Sequence, residues 1–270
     1  MDAVKKYDAL GNDFFVLSAA ETTDSPSALA REWCDSDSGL TVRGGETGAD
    51  GLLRVESLSE RTLEMELFEP DGSTSPMCGN GVRCVAKWAH NVRGHTDVTV
   101  ETEARTCAAT IDADGGVTVE LDSPSYVDGV DEAGLRETLS VETVLGDVSL
   151  VDSGVYHLLV QVGDVAKEDL EALTEQVRRT VEPPQRINVT LWAPAAGGVD
   201  QRTYEVGVED ETDACGTGAL AIGYHTDRTG VADGTVSVHP PGGELQVAVR
   251  ADNAVLSGPA EEVGQVDVPL

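Results

Sequence analysis

The sequence predicts a duplicated fold in which each half consists of a buried helix wrapped by β-strands. The main observation is that Cys78-Gly79-Asn80-Gly81 and Cys215-Gly216-Thr217-Gly218 lie half a chain length apart, in a chain of 270 residues. Each motif is followed by a short apolar stretch, and a helix that is apolar around most of its surface is usually buried. This repetition favours two similar domains that face each other across a cleft.

In the first half, strands are predicted on both sides of the cysteine motif. The clearest is Thr62–Phe68, in which apolar and polar residues alternate. A helix is predicted over residues 26–33, with Asp24-Ser25 as its cap and a proline at its first position. The other strands of this half are predicted at residues 4–7, 14–17, 52–56, 98–102, 106–111 and 117–121.

The second half repeats this arrangement. An amphipathic helix is predicted over residues 167–180, because Leu170, Leu173 and Val177 recur with helical spacing. Strands are predicted at residues 148–151, 158–162, 187–191, 203–208, 236–239, 245–249 and 254–256. A linker near residues 122–127 gives an N-terminal domain, residues 1–124, and a C-terminal domain, residues 125–261. The tail at residues 262–270 is assigned to the N-terminal domain.

The two cysteines suggest a specific chemistry. A cysteine at the start of a helix lies where the dipole and the free N–H groups favour a thiolate. Inverting a chiral carbon without a cofactor needs a base on one face and an acid on the other, and a thiolate and a thiol can exchange these roles. The N–H groups at the two helix starts can also bind a carboxylate. The alternative is that both cysteines are buried structural residues at glycine turns.

The composition limits the partners of this protein. The chain carries 49 acidic and 18 basic residues, a formal net charge of −31. Such a surface excludes nucleic acids and anionic membranes as partners, because phosphates require a basic patch. It resembles the lysine-poor, acidic proteins of salt-loving archaea, although a protein with cationic partners is an alternative. The N-terminus lacks a signal-peptide core and no apolar run spans a membrane, which predicts a cytoplasmic protein.

The remaining cysteines point to neither disulfides nor a metal. Five cysteines is an odd number, and a chain of this length needs no disulfide scaffold. Cys78 and Cys84 do not have zinc-ligand spacing, and histidines do not cluster near them. We therefore expect no metal and no cofactor, with Cys34, Cys84 and Cys107 as buried apolar residues.

Taken together and in order, several short motifs resemble those of the diaminopimelate epimerase family of cofactor-independent amino-acid racemases. They are Gly11-Asn12-Asp13-Phe14, Gly48-Ala49-Asp50-Gly51, Asp71-Gly72-Ser73, Met77-Cys78-Gly79-Asn80-Gly81-Val82-Arg83-Cys84, Asn188-Val189, Ala214-Cys215-Gly216-Thr217-Gly218, Pro241-Gly242-Gly243 and Gly258-Pro259-Ala260. The resemblance implies an α+β fold of two similar domains, each a mixed β-sheet curled around a central buried helix, with the active-site cleft between them. It also implies interconversion of LL- and meso-diaminopimelate in lysine biosynthesis.

The resemblance further implies roles for individual residues. Cys78 and Cys215 correspond to the acid/base pair of the family, and His157 and Glu205 stand beside the two thiols. The residues implied for substrate binding are Asn12, Glu69, Gly79, Asn80, Asn188, Val206, Gly216 and Thr217. Gly79, Asn80, Gly216 and Thr217 are the group expected to hold the reacting carboxylate.

Three of the positions that recognise the distal end of diaminopimelate depart from the family pattern. They are Glu69, Val155 and Val206, the last of which replaces an arginine. A racemase of another amino acid is therefore an open alternative, and a non-catalytic carboxylate-binding module is another. In each case we expect a small amino acid or carboxylate as the ligand and a homodimer as the assembly.

Overall fold

The computed structural model describes residues 2–20, 25–43, 45–139, 144–180 and 187–268. The helices are α1 (Pro26–Trp33), α2 (Gly79–Arg93), α3 (Glu132–Thr138), α4 (Leu170–Thr180) and α5 (Gly216–Thr229). Strands β1 to β9 are Asp2–Asp8, Asp13–Ser18, Gly51–Ser57, Thr62–Phe68, Thr74–Ser75, Asp97–Glu101, Thr106–Ile111, Val117–Asp122 and Ser125–Tyr126. Strands β10 to β18 are Val144–Asp152, Tyr156–Val162, Ile187–Ala195, Gly198–Glu205, Asp210–Thr212, Thr235–His239, Leu245–Val249, Asn253–Gly258 and Glu261–Val268.

The chain divides into two compact units. The first comprises residues 1–120 together with residues 257–270, and the second comprises residues 121–256. The sequence places these boundaries at residues 124 and 261, a few residues later in each case. The C-terminal segment belongs to the first unit because β18 pairs antiparallel with β1, from Asp2 opposite Val268 to Asp8 opposite Glu261.

Each unit contains a mixed sheet. In the first unit the strands are ordered β1, β2, β3, β4, β6, β7, where β2 and β3 are parallel, β4 and β6 are parallel, and the other neighbours are antiparallel. In the second unit the order is β10, β11, β12, β13, β15, β16, with the parallel pairs β11–β12 and β13–β15 in the same places. The short strands β5 and β14 lie beside β4 and β13, respectively.

The two topologies therefore match strand for strand, and in both units the cysteine-motif helix follows the short strand. This confirms the predicted α+β fold of two similar domains, each with a mixed sheet around a buried helix. In α2, nine residues from Asn80 to Ala89 are buried, and in α5 all residues from Gly218 to Thr226 are buried. Both helices end at a glycine in the left-handed conformation, Gly94 at φ 73° and Gly230 at φ 71°.

A second apolar layer covers the other face of the sheet in each unit. In the first unit α1 contributes Leu29, Ala30 and Trp33 to a cluster with Phe15 and Leu17 of β2. In the second unit α3 and α4 cover the sheet, and the buried face of α4 consists of Leu170, Leu173, Thr174 and Val177. This face includes the three apolar residues predicted from the helical spacing.

Among the described residues, no helix is long and apolar enough to cross a membrane.

Some predicted boundaries were wrong. Helix α4 begins at Leu170 and not at residue 167, because Asp169 Oδ1 accepts a hydrogen bond from the N–H of Ala172 and caps the helix there. Strand β13 ends at Glu205 and not at residue 208, since the chain turns through Gly207 at φ 101° and Glu209 at φ 60°. Ser25 is the N-cap residue of α1 as predicted, but its side chain makes no capping hydrogen bond. Asp24 lies outside the described residues.

Candidate active site

Both motif cysteines cap their helices with sulfur. Cys78 precedes α2 in an extended conformation, and its Sγ accepts a hydrogen bond from the N–H of Gly81 at 3.4 Å. Cys215 precedes α5 in the same way, and its Sγ accepts from the N–H of Gly218, also at 3.4 Å. Each sulfur is thus held at the positive end of a buried helix, where the backbone N–H groups are available to an anion.

In the first unit, the Asn12 side chain faces Cys78. Its Oδ1 lies 3.9 Å from Cys78 Sγ and accepts a hydrogen bond from Asn80 Nδ2 at 3.0 Å. Its Nδ2 donates to Asp50 Oδ2 at 2.9 Å. Because a carboxylate can only accept, Asp50 fixes the orientation of the amide, with the oxygen toward the cysteine. The structure thus brings together three of the residues predicted for this site.

Asp50 is itself held by the turn that carries Asn12. Its Oδ2 also accepts from the N–H of Asp13, and its own N–H donates to Asp13 Oδ1 at 3.1 Å. Asp13 forms an ion pair with Lys6, which is 2% exposed. Burial raises the pKa of the Asp13 carboxyl, and Lys6 opposes this rise. The sequence places Asp50 in a family motif but assigns it no role, because its partner lies 38 residues away.

In the second unit, Cys215 is 3% exposed and lies among polar groups. Its Sγ is 3.4 Å from Thr217 Oγ1, and its side chain is hydrogen-bonded to Glu205. Burial raises the pKa of the Cys215 thiol well above its ordinary value, and the Glu205 carboxylate raises it further. The helix start alone favours a thiolate, but here burial outweighs it, and the resting form is the thiol.

The pKa of the Glu205 carboxyl is shifted as well. Burial raises the pKa of its carboxyl, while its hydrogen bonds with Thr212 and Cys215 act in the opposite direction. Glu205 therefore lies beside the Cys215 thiol, as the sequence predicts.

His157 lies behind Thr217 and is completely buried. Its Nε2 is 3.0 Å from Thr217 Oγ1 and 3.3 Å from Asn188 Nδ2, and its Nδ1 is 2.9 Å from Thr190 Oγ1. Burial lowers the pKa of His157 from 6.5 to about 3, so the ring is neutral near pH 7. Its link to Cys215 runs through the Thr217 hydroxyl.

Alternate residues of two neighbouring strands form a polar face beneath α5. Asn188 and Thr190 belong to β12, and Gln201, Thr203 and Glu205 belong to β13. Their neighbours on the opposite face, such as Val189 and Leu191, enter the apolar core. Thr190, Gln201 and Thr203 are not among the site residues predicted from the sequence. The signal for them is that polar residues occupy every second position of a buried strand.

The three positions that depart from the family pattern have different surroundings. The Glu69 side chain accepts a hydrogen bond from Ser75 Oγ, and Val155 is 45% exposed. Val206 is half-buried, and its backbone N–H donates to Asn188 Oδ1 at 2.8 Å. Val206 thus takes part in the site through its backbone, while its side chain is apolar.

Arg202 and Arg186 are the arginines that the sequence offers in place of the missing one, and Arg202 is occupied by other groups. It forms a bidentate pair with Glu211, both contacts being 2.7 Å, and its Nη1 donates to the carbonyl oxygens of Val165 and Glu168. It is therefore already satisfied within its own unit. Arg186, the other candidate, lies outside the described residues. Across the described chain, no group of three or more His, Cys, Asp or Glu side chains is arranged to hold a metal ion.

Comparison with known proteins places these features in a family. A model of the diaminopimelate epimerase family matches residues 4–127 and 149–263. The chain belongs to the diaminopimelate epimerase family. It is 32% identical to the diaminopimelate epimerase of Methanocella arvoryzae, over 96% of this chain and 94% of that protein. It is 31% identical to that of Heliobacterium modesticaldum, over the full length of both.

Solved structures share the fold of this diaminopimelate epimerase family member at lower identity. A phenazine biosynthesis protein of the PhzF family from Enterococcus faecalis has a TM-score of 0.72 at 14% identity, over 98% of this chain and 99% of that chain. A hydroxyproline epimerase from Agrobacterium vitis has a TM-score of 0.64 at 16% identity, over 98% and 90%. At these identities the similarity supports the fold alone.

Proposed function

We propose that this protein is a diaminopimelate epimerase that moves the α-proton between two thiols, Cys78 and Cys215. The observation that carries the proposal is the pair of equivalent, sulfur-capped helix starts in a chain of this family. One thiol removes the α-proton as a thiolate while the other donates a proton to the opposite face, and the roles reverse for the other stereoisomer. No cofactor takes part in this scheme.

The reacting carboxylate is held by the backbone N–H groups at the two helix starts. Gly79-Asn80 and Gly216-Thr217 supply these groups, and the helix dipoles stabilise the charge that develops as the α-proton leaves. Because Cys215 rests as a thiol, it is the proton donor in the direction in which Cys78 is the base. Glu205, hydrogen-bonded to Cys215 and with a raised pKa, takes up the thiol proton in the reverse direction.

A second candidate is a racemase acting on an amino acid without a distal carboxylate. The observation that favours it is that Val206 carries no charge and Arg202 is already bound by Glu211. A bidentate arginine contributes charge-assisted hydrogen bonds to a carboxylate that valine cannot replace. Glu69 instead suits a distal ammonium group, which diaminopimelate and lysine both carry.

The test is exchange of the α-hydrogen in deuterated water at high salt, with diaminopimelate, lysine, ornithine and histidine as substrates. We expect exchange with diaminopimelate, and we expect Cys78→Ala and Cys215→Ala each to lower kcat/KM by about 10²–10⁴-fold. Cys34→Ala, at a buried cysteine outside both motifs, is the control and retains activity. A non-catalytic carboxylate-binding module predicts no exchange with any substrate.

We also propose that the protein works in the cytoplasm. The chemistry requires both cysteines to be reduced, and all five cysteines of the chain are thiols in the structure. A reducing compartment keeps them in that form.

A further inference from the structure

We infer that Asn188 and Thr190 are positioning residues that fix the His157 ring as the tautomer protonated on Nδ1. The inference deepens the proposed function, because His157 contacts Thr217 beside the Cys215 thiol. The tautomer is measured without any substrate, so its test is independent of the activity.

The first step is the orientation of the Asn188 amide. The backbone N–H of Val206 can only donate, and it lies 2.8 Å from Asn188 Oδ1. The oxygen of the amide is therefore directed toward Val206. The Nδ2 group, which can only donate, then faces His157 Nε2 at 3.3 Å. Nε2 must accept this hydrogen bond, so it carries no proton.

The second step places the proton of the ring. His157 is completely buried, and this burial lowers its pKa to about 3. A neutral imidazole carries one proton, and Nε2 is excluded as its position. The proton is therefore on Nδ1, which lies 2.9 Å from Thr190 Oγ1. Thr190 supplies the acceptor that this tautomer needs.

The third step concerns the hydrogen-bonded network around His157, which is also held at the end away from Val206. Gln201 Nε2 donates to the backbone carbonyl of Cys215 at 3.1 Å and to Thr203 Oγ1 at 3.0 Å. Thr203 Oγ1 is in turn 3.1 Å from Thr190 Oγ1. A backbone N–H fixes the Asn188 amide and a backbone carbonyl fixes the Gln201 amide, so that both amides direct N–H groups into the network.

The tautomer of His157 has a consequence for the thiol. Because Nε2 has no proton, the Thr217 hydroxyl donates to it, at 3.0 Å. The Thr217 oxygen then presents lone pairs and no proton toward Cys215 Sγ, at 3.4 Å, which disfavours a thiolate at this sulfur. With the opposite tautomer, Thr217 would instead donate to a thiolate. Asn188 and Thr190 thus determine which protonation state of Cys215 the hydroxyl stabilises.

The experiment is NMR of the protein labelled with ¹⁵N-histidine, in which protonated and unprotonated ring nitrogens have distinct shifts. Comparison with His157→Gln identifies the signals of His157. We expect the proton on Nδ1 in the wild type. Asn188→Asp has the same size and still accepts from Val206, but it places an acceptor at Nε2, so we expect Nε2 to become protonated. A wild-type ring protonated on Nε2, or an Asn188→Asp ring still protonated on Nδ1 alone, would overturn the inference.

Thr190 is tested by a matched pair of variants. Thr190→Val keeps the shape but removes the acceptor, and Thr190→Ser restores the hydroxyl. We expect the valine variant to lose the Nδ1–H signal pattern and to lower kcat by about 10–100-fold, as loss of an outer partner does for metal-bound histidines, with KM little changed. Serine should restore both. If the valine variant keeps the wild-type ring signals, Thr190 does not position His157. A wild type with the expected tautomer but no turnover would refute only the proposed function.

Discussion

Burial shifts the pKa values of Cys215 and of two groups near it, Glu205 and His157. The pKa of the Cys215 thiol is raised, the pKa of the Glu205 carboxyl is raised, and the pKa of the His157 imidazole is lowered, each mainly by loss of water. All three shifts favour the neutral form.

The shift of His157 predicts a pH dependence of stability. The unfolded chain binds a proton at this residue near pH 6.5, whereas the folded protein does not bind it until about pH 3. The stability linked to His157 is therefore complete above pH 6.5 and is lost as the pH falls toward 3. We expect the free energy of unfolding of His157→Gln to fall less steeply with decreasing pH, by up to about 1.4 kcal/mol per pH unit. Urea unfolding between pH 7 and 4 measures this, and equal slopes for both proteins would contradict it.

The absence of a charged side chain at Val206 leads to a prediction about substrate selectivity. If the side chain of this residue faces the distal end of the substrate, the wild type discriminates weakly between diaminopimelate and lysine. Val206→Arg should then raise the kcat/KM ratio for diaminopimelate over lysine, because a bidentate partner for the second carboxylate is restored. Val208→Arg, on the same turn and 60% exposed, is the matched control and should leave the ratio unchanged.

The opposite result is equally informative. A wild-type preference for diaminopimelate above about 10⁴, the discrimination of a fully paired polar site, would mean that another group binds the distal carboxylate. In that case Val206→Arg should have little effect.

At the scale of elements, α2 and α5 begin alike but are packed differently at their third residue. A Cβ on Gly81 would lie 3.2 Å from the Leu53 side chain, which can adjust slightly. A Cβ on Gly218 would lie 2.6 Å from Gln201 Nε2 and 3.0 Å from Thr203 Oγ1. Because both of these atoms belong to the hydrogen-bonded network under α5, the second glycine is far less replaceable.

The pair Gly81→Ala and Gly218→Ala tests this difference. Alanine is favoured over glycine in a helix by up to about 1 kcal/mol, so Gly81→Ala should be nearly neutral. Gly218→Ala should lower the free energy of unfolding by about 1–3 kcal/mol, the usual effect of overpacking. Denaturant unfolding at constant salt measures both. Equal effects of the two substitutions would show that Gln201 moves without cost.

The elements with strong local patterns are the ones that can be predicted from the sequence. Helices α2 and α5 were found because small and apolar residues follow a glycine turn, and β4 because its alternation is regular. Strand β18 was missed, since Glu261–Val268 is acidic and mostly exposed, and only its pairing with β1 makes it a strand. Similarly, the cysteines were recognisable from their motifs, whereas Asp50 and Thr190 act through partners that the fold brings near.

For the whole molecule, the excess of acidic residues is the dominant electrostatic property. Several of the few bases are already paired at the surface, such as Arg178 with Glu209 and Arg179 with Glu175. Exposed pairs of this kind contribute little to stability, so they do not offset a net charge of −31. Repulsion among the remaining acids destabilises the compact state wherever salt does not screen it.

The melting temperature should therefore rise steeply with potassium chloride up to molar concentrations. The screening distance falls from about 10 Å at 0.1 M salt to about 3 Å at 1 M. Thermal unfolding followed by circular dichroism, at fixed protein concentration and pH, measures the rise. A flat profile between about 0.1 and 2 M would show that the acidic residues are not an adaptation to salt.

The pairing of β18 with β1 also constrains the order in which the chain acquires its structure during translation. Residues 121–256 are contiguous, so the second unit has all of its strands once that segment has left the ribosome. The first unit emerges earlier, yet β1 has only β2 beside it until Glu261–Val268 is synthesised. We therefore expect the second unit to fold first, while one edge of β1 in the first unit remains unpaired.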